Sequence, residues 1–472
     1  MEKNSTQPAK KDTTKKNKKN LKEGFTTGTA SSAAAGAAAW ALFYHKQLKE
    51  YPTLVPPFTL KKEEVFKEQN HFVYIPANEK RLTIPIHKVH CENLEDGTFI
   101  ASATVVKDGG DDPDVTHNAK IEAKVFLFEL DLKATPAENL DKIQQKAEKN
   151  GAKSRPICLE NNIFLFAGTG VGIASLPGLP IEVGEPAINP DPRMQIAATL
   201  SEVRDSFFTN DKAQDNQREH QEAFSSLVAI ISVENGEQIA TKTLNPKLGI
   251  VGGISILGTR GTVKPFSHEA WEHSIIQALK VNKALGAETV VLCTGRRSEE
   301  LIQKKYPELI PQAFIQAADY VGSALKESAS QGFKKIVWAC FWGKLVKLAQ
   351  GFENTHAHRN NLELNFLTDK LSSIIKEPIN SPDEMACKQD LKILEQKIKT
   401  ANTAREALVY IKESNQDIAK RLIEFVGSSA FNHASKIIFS EKNKNNLALN
   451  FELICFDFDG TVLFQQEKSF MN

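Results

Sequence analysis

From about residue 245 onward, short apolar runs alternate with amphipathic stretches, and this alternation narrows the possible folds more than any other feature of the chain. Leu248–Val251, Val290–Cys293 and Lys335–Ala339 are apolar and rich in β-branched residues, so each reads as a buried strand. Between them the pattern predicts a helix from Ser267 to about Leu285 and another over Pro311–Leu325, the second opening on a proline in its first turn. Strands separated by helices pair in parallel, with the helices crossing over the sheet. A Rossmann-like α/β domain with a mostly parallel sheet is therefore expected over residues 245–440, including a helical extension, with closing strands in 441–472.

The first half has a different rhythm. Ala30–Phe43 is mostly alanine, the strongest helix former, with Thr29 as the expected N-cap. Val73–Ile86, Phe99–Lys107 and Ile121–Leu132 read as strands, and the short strand Ile163–Ala167 runs into a Gly/Pro-rich segment, Gly168–Pro192. Val228–Val233 and Gln238–Thr243 flank Asn235-Gly236, which predicts a hairpin with a tight turn. These elements predict an α+β domain over 23–244. Residues 1–22 carry eight lysines against Glu2 and Asp12 and too few apolar groups to order themselves, so they are expected to form a disordered basic tail. The polar stretch 201–222 is expected to be a mobile surface insert.

Composition removes several classes of function. The 472 residues carry 59 basic and 58 acidic side chains, but without the lysine tail the rest is mildly acidic. Nucleic-acid binding needs a positive face on the fold itself, so no nucleic-acid partner is expected. Cys91, Cys158, Cys293, Cys340, Cys387 and Cys455 are scattered, with no CxxC pair. That argues against a disulfide framework and a thiolate metal site, and for a reducing cytoplasm. The lysine-rich start before the alanine run imitates an export signal, yet Tyr44-His45-Lys46 stands where cleavage needs small residues. No apolar run reaches the length of a membrane span.

Six constellations could carry chemistry. Gly24-Phe25-Thr26-Thr27-Gly28-Thr29 opens the alanine helix, where hydroxyls and backbone N–H groups either bind an anion or simply cap the helix. Lys107-Asp108-Gly109-Gly110-Asp111-Asp112-Pro113-Asp114-Val115-Thr116-His117 follows a strand directly. Its carboxylates and histidine suit a general base or a hard cation, or else cap a solvated turn. Gly168-Thr169-Gly170-Val171-Gly172 lacks the Gly-Lys-Ser/Thr of a P-loop and reads as a shaped loop or a crossover. Gly252, Gly253, Gly258 and Thr259 follow the strand Leu248–Val251. The segment is not GxGxxG, but the carboxyl end of a strand in an α/β sheet is where nucleotides dock, so these four either contact an adenosine-type cofactor or belong to a structural crossover. Lys344 and Lys347 share a helical face and could clamp an anion, while His356 and His358 have no visible third partner for a metal. Finally, Asp457-Phe458-Asp459-Gly460-Thr461 matches the nucleophile motif of haloacid-dehalogenase-type phosphatases. Almost nothing follows it to supply the remaining catalytic groups, so a terminal strand with an Asp-Gly turn is expected instead.

The order of these blocks is more specific than any one of them. GFTTGTA, VVKDGGDDPDVTH, GTGVGIASLPGLPIEVGEPAINP, TLNPKLGIVGGISILGTRGTVKPFS and GKLVKLAQGFENTH together resemble the CbiD family, from about residue 21 to 360. The resemblance implies a cobalt-precorrin-5B C1-methyltransferase of anaerobic cobalamin biosynthesis, dependent on S-adenosylmethionine and yielding cobalt-precorrin-6A. Many members have Cys where this chain has Ala30, so no thiol is needed there. The substrate implied is a macrocycle with many carboxylate arms. Thr26, Thr27, Thr29, Lys107, Arg260, Lys264, Lys344 and Lys347 are the expected donors to it. Asp111, Asp112, Asp114 and His117 are the candidates for accepting a proton. Cobalt arrives with the substrate, so no protein metal site is expected. Homo-oligomerisation and transient contact with neighbouring pathway enzymes are compatible with such a role. A non-catalytic tetrapyrrole carrier would use the same anion donors without a methyl donor.

Overall fold

The computed structural model describes residues 21–48, 69–75, 79–208, 225–356, 364–374, 384–440 and 449–470. Nearly all of the expected basic tail, most of the polar insert and His358 lie outside these residues. Two compact units result: Met1–Ser175 with Pro180–Ser267, and Leu176–Leu179 with His268–Asn472.

The first unit is built on a six-stranded sheet in the order Lys88–Asn93, Phe99–Val106, Lys120–Glu129, Ser225–Val233, Ile163–Ala167, Ile157–Leu159. All neighbours are antiparallel except Ser225–Val233 with Ile163–Ala167. Alternate residues point to opposite faces. Ala101, Ala103, Val105, Ile121, Ala123, Val125, Ala229 and Ile231 enter one core. Ile100, Phe126, Phe166, Val228 and Ile230 enter a second core with Ile143 and Ala147 of the helix Pro136–Lys149. The first core also takes the helix Thr27–Leu48, whose alanines 30, 33, 34, 35, 37, 38, 39 and 41 are all at most 1% exposed. Burial all round the helix explains its lack of an amphipathic stripe. Small residues on both surfaces, alanine on the helix and alanine on the sheet, let the two backbones approach closely.

The second unit carries a five-stranded sheet in the order Phe314–Gln316, Thr289–Cys293, Lys335–Phe341, Leu449–Phe456, Val462–Phe470. The first four run parallel and the last is an antiparallel edge. Ile336, Trp338, Cys340, Leu453 and Cys455 face a helical layer that includes Val321–Ser330, Ala404–Glu413 and Gln416–Ser440. Val291, Cys293, Val337, Ala339 and Ile454 face a smaller core with Ile302 of the helix Arg296–Gln303. Leu176–Leu179 belongs to this unit through Gly178. A side chain on Gly178 would start 2.6 Å from the Lys280 carbonyl oxygen, on the helix His268–Ala284.

Five expectations are corrected. The stretch read as one helix over Pro311–Leu325 holds the helical turn Pro311–Ala313, then the strand Phe314–Gln316, which pairs with Val291–Cys293, and only the first half of the helix Val321–Ser330. The glycine-rich segment after residue 245 does not open the parallel sheet. Its short strand Ile250–Val251 pairs antiparallel with Ile173–Ala174, and Gly253–Ile254 pairs in parallel with Gly170–Val171, both in the first unit. Two residues of pairing are too short to carry a crossover helix, so this segment closes the first unit instead of opening the second. The predicted hairpin at Asn235-Gly236 is a strand, Ser225–Val233, followed by the helical turn Gly236–Ala240. Asn235 takes φ 55°, but a side chain on Gly236 would start 2.1 Å from the Gly170 carbonyl oxygen. The chain is thus held against the neighbouring loop and does not fold back on its own strand. The stretch read as one strand over Val73–Ile86 contains two, Gln69–Ile75 and Lys80–Ile86, paired antiparallel. The N-cap of the alanine helix is Thr26, whose Oγ1 accepts from the Thr29 amide at 3.1 Å, so the helix starts earlier than alanine content alone suggested. Asp457–Thr461 forms the turn between the last two strands, as expected, with Asp459 accepting from the amide and hydroxyl of Thr461.

Because Ala34 is fully buried, Ala34→Leu should destabilise the protein by about 1–3 kcal/mol through overpacking. Leucine has nearly the helix propensity of alanine, so a propensity effect alone would leave stability unchanged. Urea unfolding followed by circular dichroism separates the two.

Candidate functional site

In the first unit the threonine loop docks on the glycine-rich segment. Thr27 Oγ1 lies 3.3 Å from the Ser255 carbonyl and 3.2 Å from that of Leu257, and accepts from the Leu257 amide at 2.9 Å. Thr29 Oγ1 donates to the Gly261 carbonyl at 2.9 Å, and the Thr26 amide donates to the same carbonyl at 3.0 Å. All three threonines are buried, so their hydroxyls serve the chain's own backbone and not an incoming anion. Thr26 thus caps the helix, as the second reading of this loop expected, while Thr27 and Thr29 fasten the loop to residues 255–261. Phe25 and Gly24 pair with Thr262 and Val263, which fastens the second side of the same loop.

The acidic turn packs beside it. Lys107 is 1% exposed, and its Nζ lies 2.5 Å from Asp114 Oδ2. Asp114 Oδ1 accepts from the amide and hydroxyl of Thr116, each at 2.7 Å. Burial works against ionisation of Asp114, but the Lys107 ammonium and the Thr116 hydrogen bonds outweigh it and hold the carboxyl below its ordinary range. The Asp111 carboxylate accepts from the Lys22 amide at 2.6 Å, while the Asp111 amide donates to the Lys22 carbonyl at 2.9 Å. Asp112 Oδ1 accepts from the Phe266 amide at 2.8 Å, at a residue in the left-handed region with φ 56°. His117 Nδ1 accepts from the Gly109 amide at 2.9 Å, which places the ring's proton on Nε2. Each candidate base thus has a structural task, and Lys107 is a buried counter-ion in the turn and not a surface donor. Thr259, Arg260 and Lys264 are exposed on the segment that the threonines anchor.

The glycines of that segment differ in what surrounds them. A side chain at Gly253 would start 2.2 Å from Gly170 backbone atoms, and one at Gly258 would start 2.3 Å from the Thr26 side chain. Both are explained by close packing. Gly252 has φ 81° and no heavy atom within 4 Å of where a side chain would start, so, unlike Gly253 and Gly258, it leaves its backbone open.

In the second unit, a cavity of about 480 Å³ lies over the carboxyl ends of Thr289–Cys293 and Lys335–Phe341, within the size range of small-molecule sites. Thr294, Gly295, Arg297, Phe341, Lys344 and Lys347 are among its lining residues. Lys344 and Lys347 do share a face of the helix Trp342–Ala349. Both ammonium groups approach the Thr355 carbonyl, at 3.5 Å and 3.0 Å, and Lys344 is also paired with Asp319. Thr355 donates to Asp319 at 3.0 Å. His356 stands edge-on to His268, with ring centroids 6.3 Å apart. Sequence reasoning missed Thr294-Gly295-Arg296-Arg297-Ser298. The available signal was a glycine two positions after the apolar strand Thr289–Cys293 and directly before a helix, the logic applied instead to residues 252–259.

Two units, one on a mixed six-stranded sheet and one on a mainly parallel five-stranded sheet, define a mixed α/β protein with ligand-sized space at its strand ends. Comparison with known proteins specifies it further. The family model described as CbiD matches residues 14–265. A cobalt-precorrin-5B C(1)-methyltransferase of Nitratidesulfovibrio vulgaris is 42% identical over 348 residues, covering 74% of this chain and 73% of that protein. One from Leptospira borgpetersenii is 32% identical over 448 residues, covering 94% and 95%. A crystal structure of a cobalamin biosynthesis protein, cbiD, from Archaeoglobus fulgidus is 26% identical, with 72% of this chain and 83% of that one covered, and superposes with a TM-score of 0.31. This chain belongs to the CbiD family.

Asp114→Asn should cost about 3–5 kcal/mol, because it leaves the Lys107 ammonium buried without a counter-charge. The depressed carboxyl also fixes a pH dependence. Its stabilisation is complete well above the unfolded-state value of about 3.9 and is lost as pH falls through the lower folded value. Urea midpoints of the native protein should therefore decline from about pH 4 downward, and that component should be missing in Asp114→Asn.

Proposed function

We propose that this chain is a cytoplasmic cobalt-precorrin-5B C1-methyltransferase that takes its methyl group from S-adenosylmethionine. One observation carries the reading: the 42% identity to a protein of that name extends over 348 residues, more than either unit of this chain contains. No helix among the described residues is long and apolar enough to cross a membrane.

S-adenosylmethionine supplies an electrophilic methyl group, which leaves its sulfonium for ring carbon 1 as the sulfur departs as a thioether. The open backbone at Gly252 and the exposed Thr259 of the same segment fit the approach of such a cofactor, whereas Gly253 and Gly258 are filled by the chain itself. Exposed Arg260 and Lys264 on the same loop suit carboxylate arms of the macrocycle. Transfer from a sulfonium needs alignment more than covalent assistance, so the rigid docking of this loop on Thr26, Thr27 and Thr29 is its main contribution. In this reading the acidic turn holds the loop through Asp112 and Phe266 and does not take a proton.

The test is conversion of cobalt-precorrin-5B with methyl-labelled S-adenosylmethionine, followed by mass spectrometry. One methyl group gained per macrocycle, with an equal yield of S-adenosylhomocysteine, is the expected result. Tight substrate binding without transfer would instead identify a carrier. Asp112→Asn should keep near-normal single-turnover rates, since an amide oxygen also accepts from the Phe266 amide; a general base there would lose roughly 10²–10⁴-fold.

A further inference from the structure

The cavity in the second unit is not used by any step described so far. It lies over strand ends of a parallel sheet, the place where open α/β sheets hold ligands. Four cationic side chains line it, Arg296, Arg297, Lys344 and Lys347, and no carboxylate does. Two helices begin at its wall, Arg296–Gln303 and Trp342–Ala349, each presenting first-turn amides without intrahelical acceptors. Asp319 holds Lys344 in place from outside the lining.

Lys347 is the more telling of the two lysines. It is only 8% exposed, and its ammonium donates to one carbonyl, that of Thr355. An ammonium has three protons to place, and burying it with a single neutral acceptor is costly unless an anion completes the set. Burial and the neighbouring Lys344 charge pull the Lys347 ammonium below the ordinary lysine range. The aromatic rings of Phe341 and Phe458, stacked with centroids 5.0 Å apart, add an apolar wall. The volume, about 480 Å³, suits a side arm or a small molecule and not a whole tetrapyrrole ring.

We propose that this cavity binds a carboxylate between Lys344, Lys347 and the two helix starts, carried either by an acidic arm of the macrocyclic substrate or by the amino-acid end of the methyl donor. The proposal rests on the methyltransferase reading for the identity of those two carriers, and on the cavity for the chemistry.

Two variants test it. Lys347→Met keeps the length of the side chain and removes the charge. Gly295→Val fills the cavity from its rim. Gly295 has extended backbone with φ 168°, and no heavy atom lies within 4 Å of where a side chain would start, so the fold should accept it. Calorimetry would measure binding of cobyrinic acid, of its heptamethyl ester and of S-adenosylhomocysteine to the full chain and to both variants, with folding checked by circular dichroism. If the substrate's arm occupies the site, both variants should bind cobyrinic acid roughly tenfold or more weakly. S-adenosylhomocysteine affinity should then be unchanged, and the ester should bind no form well. If the donor's carboxylate occupies it, S-adenosylhomocysteine should lose that affinity and cobyrinic acid should not. Unchanged affinity for both ligands in folded variants would overturn the proposal. Normal methyl transfer by the unaltered chain alongside that result would leave the methyltransferase reading standing, whereas absent transfer with intact pocket effects would overturn only that reading.

Discussion

The first unit depends on burying a helix that has almost no side chains. Eight alanines of the helix Thr27–Leu48 are inaccessible, and the facing sheet answers with Ala101, Ala103, Ala123 and Ala229. Alanine loses no side-chain entropy on burial, so the close approach costs little, and the dense contact that results makes up for the small area each residue contributes. The position of the helix axis then fixes where its first turn lies. Thr26, Thr27 and Thr29 meet the carbonyls of Ser255, Leu257 and Gly261 there, and the loop bearing Thr259, Arg260 and Lys264 is set by that meeting.

The acidic turn is fastened in the same way, through a chain of contacts that ends at the loop. Lys107 and Asp114 pair inside it, Lys22 ties Asp108 and Asp111, and Asp112 reaches the Phe266 amide. Gly24 and Gly110 lie against one another's segments so closely that a side chain on either would start within 2.3 Å of backbone. A dense group of carboxylates next to a strand end therefore need not mark a site of proton transfer. Here the carboxylates replace backbone acceptors that an irregular segment lacks.

Much of this was legible in the sequence. The alanine run gave its helix because propensity and burial agree there, and Val290–Cys293 and Lys335–Ala339 gave their strands because apolar β-branched runs fit a sheet buried on both faces. The family was legible from the order of short blocks spread along the chain; the family match over residues 14–265 spans the first three of them and nearly all of the fourth, while GKLVKLAQGFENTH lies beyond it. What misled was local resemblance without tertiary partners. Ile250–Val251 looks like Val290–Val291 in composition, but its pairing partner, Ile173–Ala174, lies in the Gly/Pro-rich segment of the first half, where nothing in the local pattern announces a strand. Asn235-Gly236 carries hairpin chemistry, yet its fate was decided by Gly170, distant in sequence. Applied to Cys293 and Phe341 instead, the strand-end rule points to the cavity lined by Lys344 and Lys347.

The four residues Leu176–Leu179 give the chain an unusual order of assembly. They lie between segments of the first unit, yet Gly178 packs on the backbone of the helix His268–Ala284, which comes almost a hundred positions later. During synthesis, the first unit has all its own strands once Ser267 has emerged, but this short stretch still has no neighbour. It must wait, exposed, until the ribosome delivers the helix. Neither unit is thus a contiguous piece of chain, and a gene cut after Ser267 would leave these four residues on the fragment that lacks the helix they pack against.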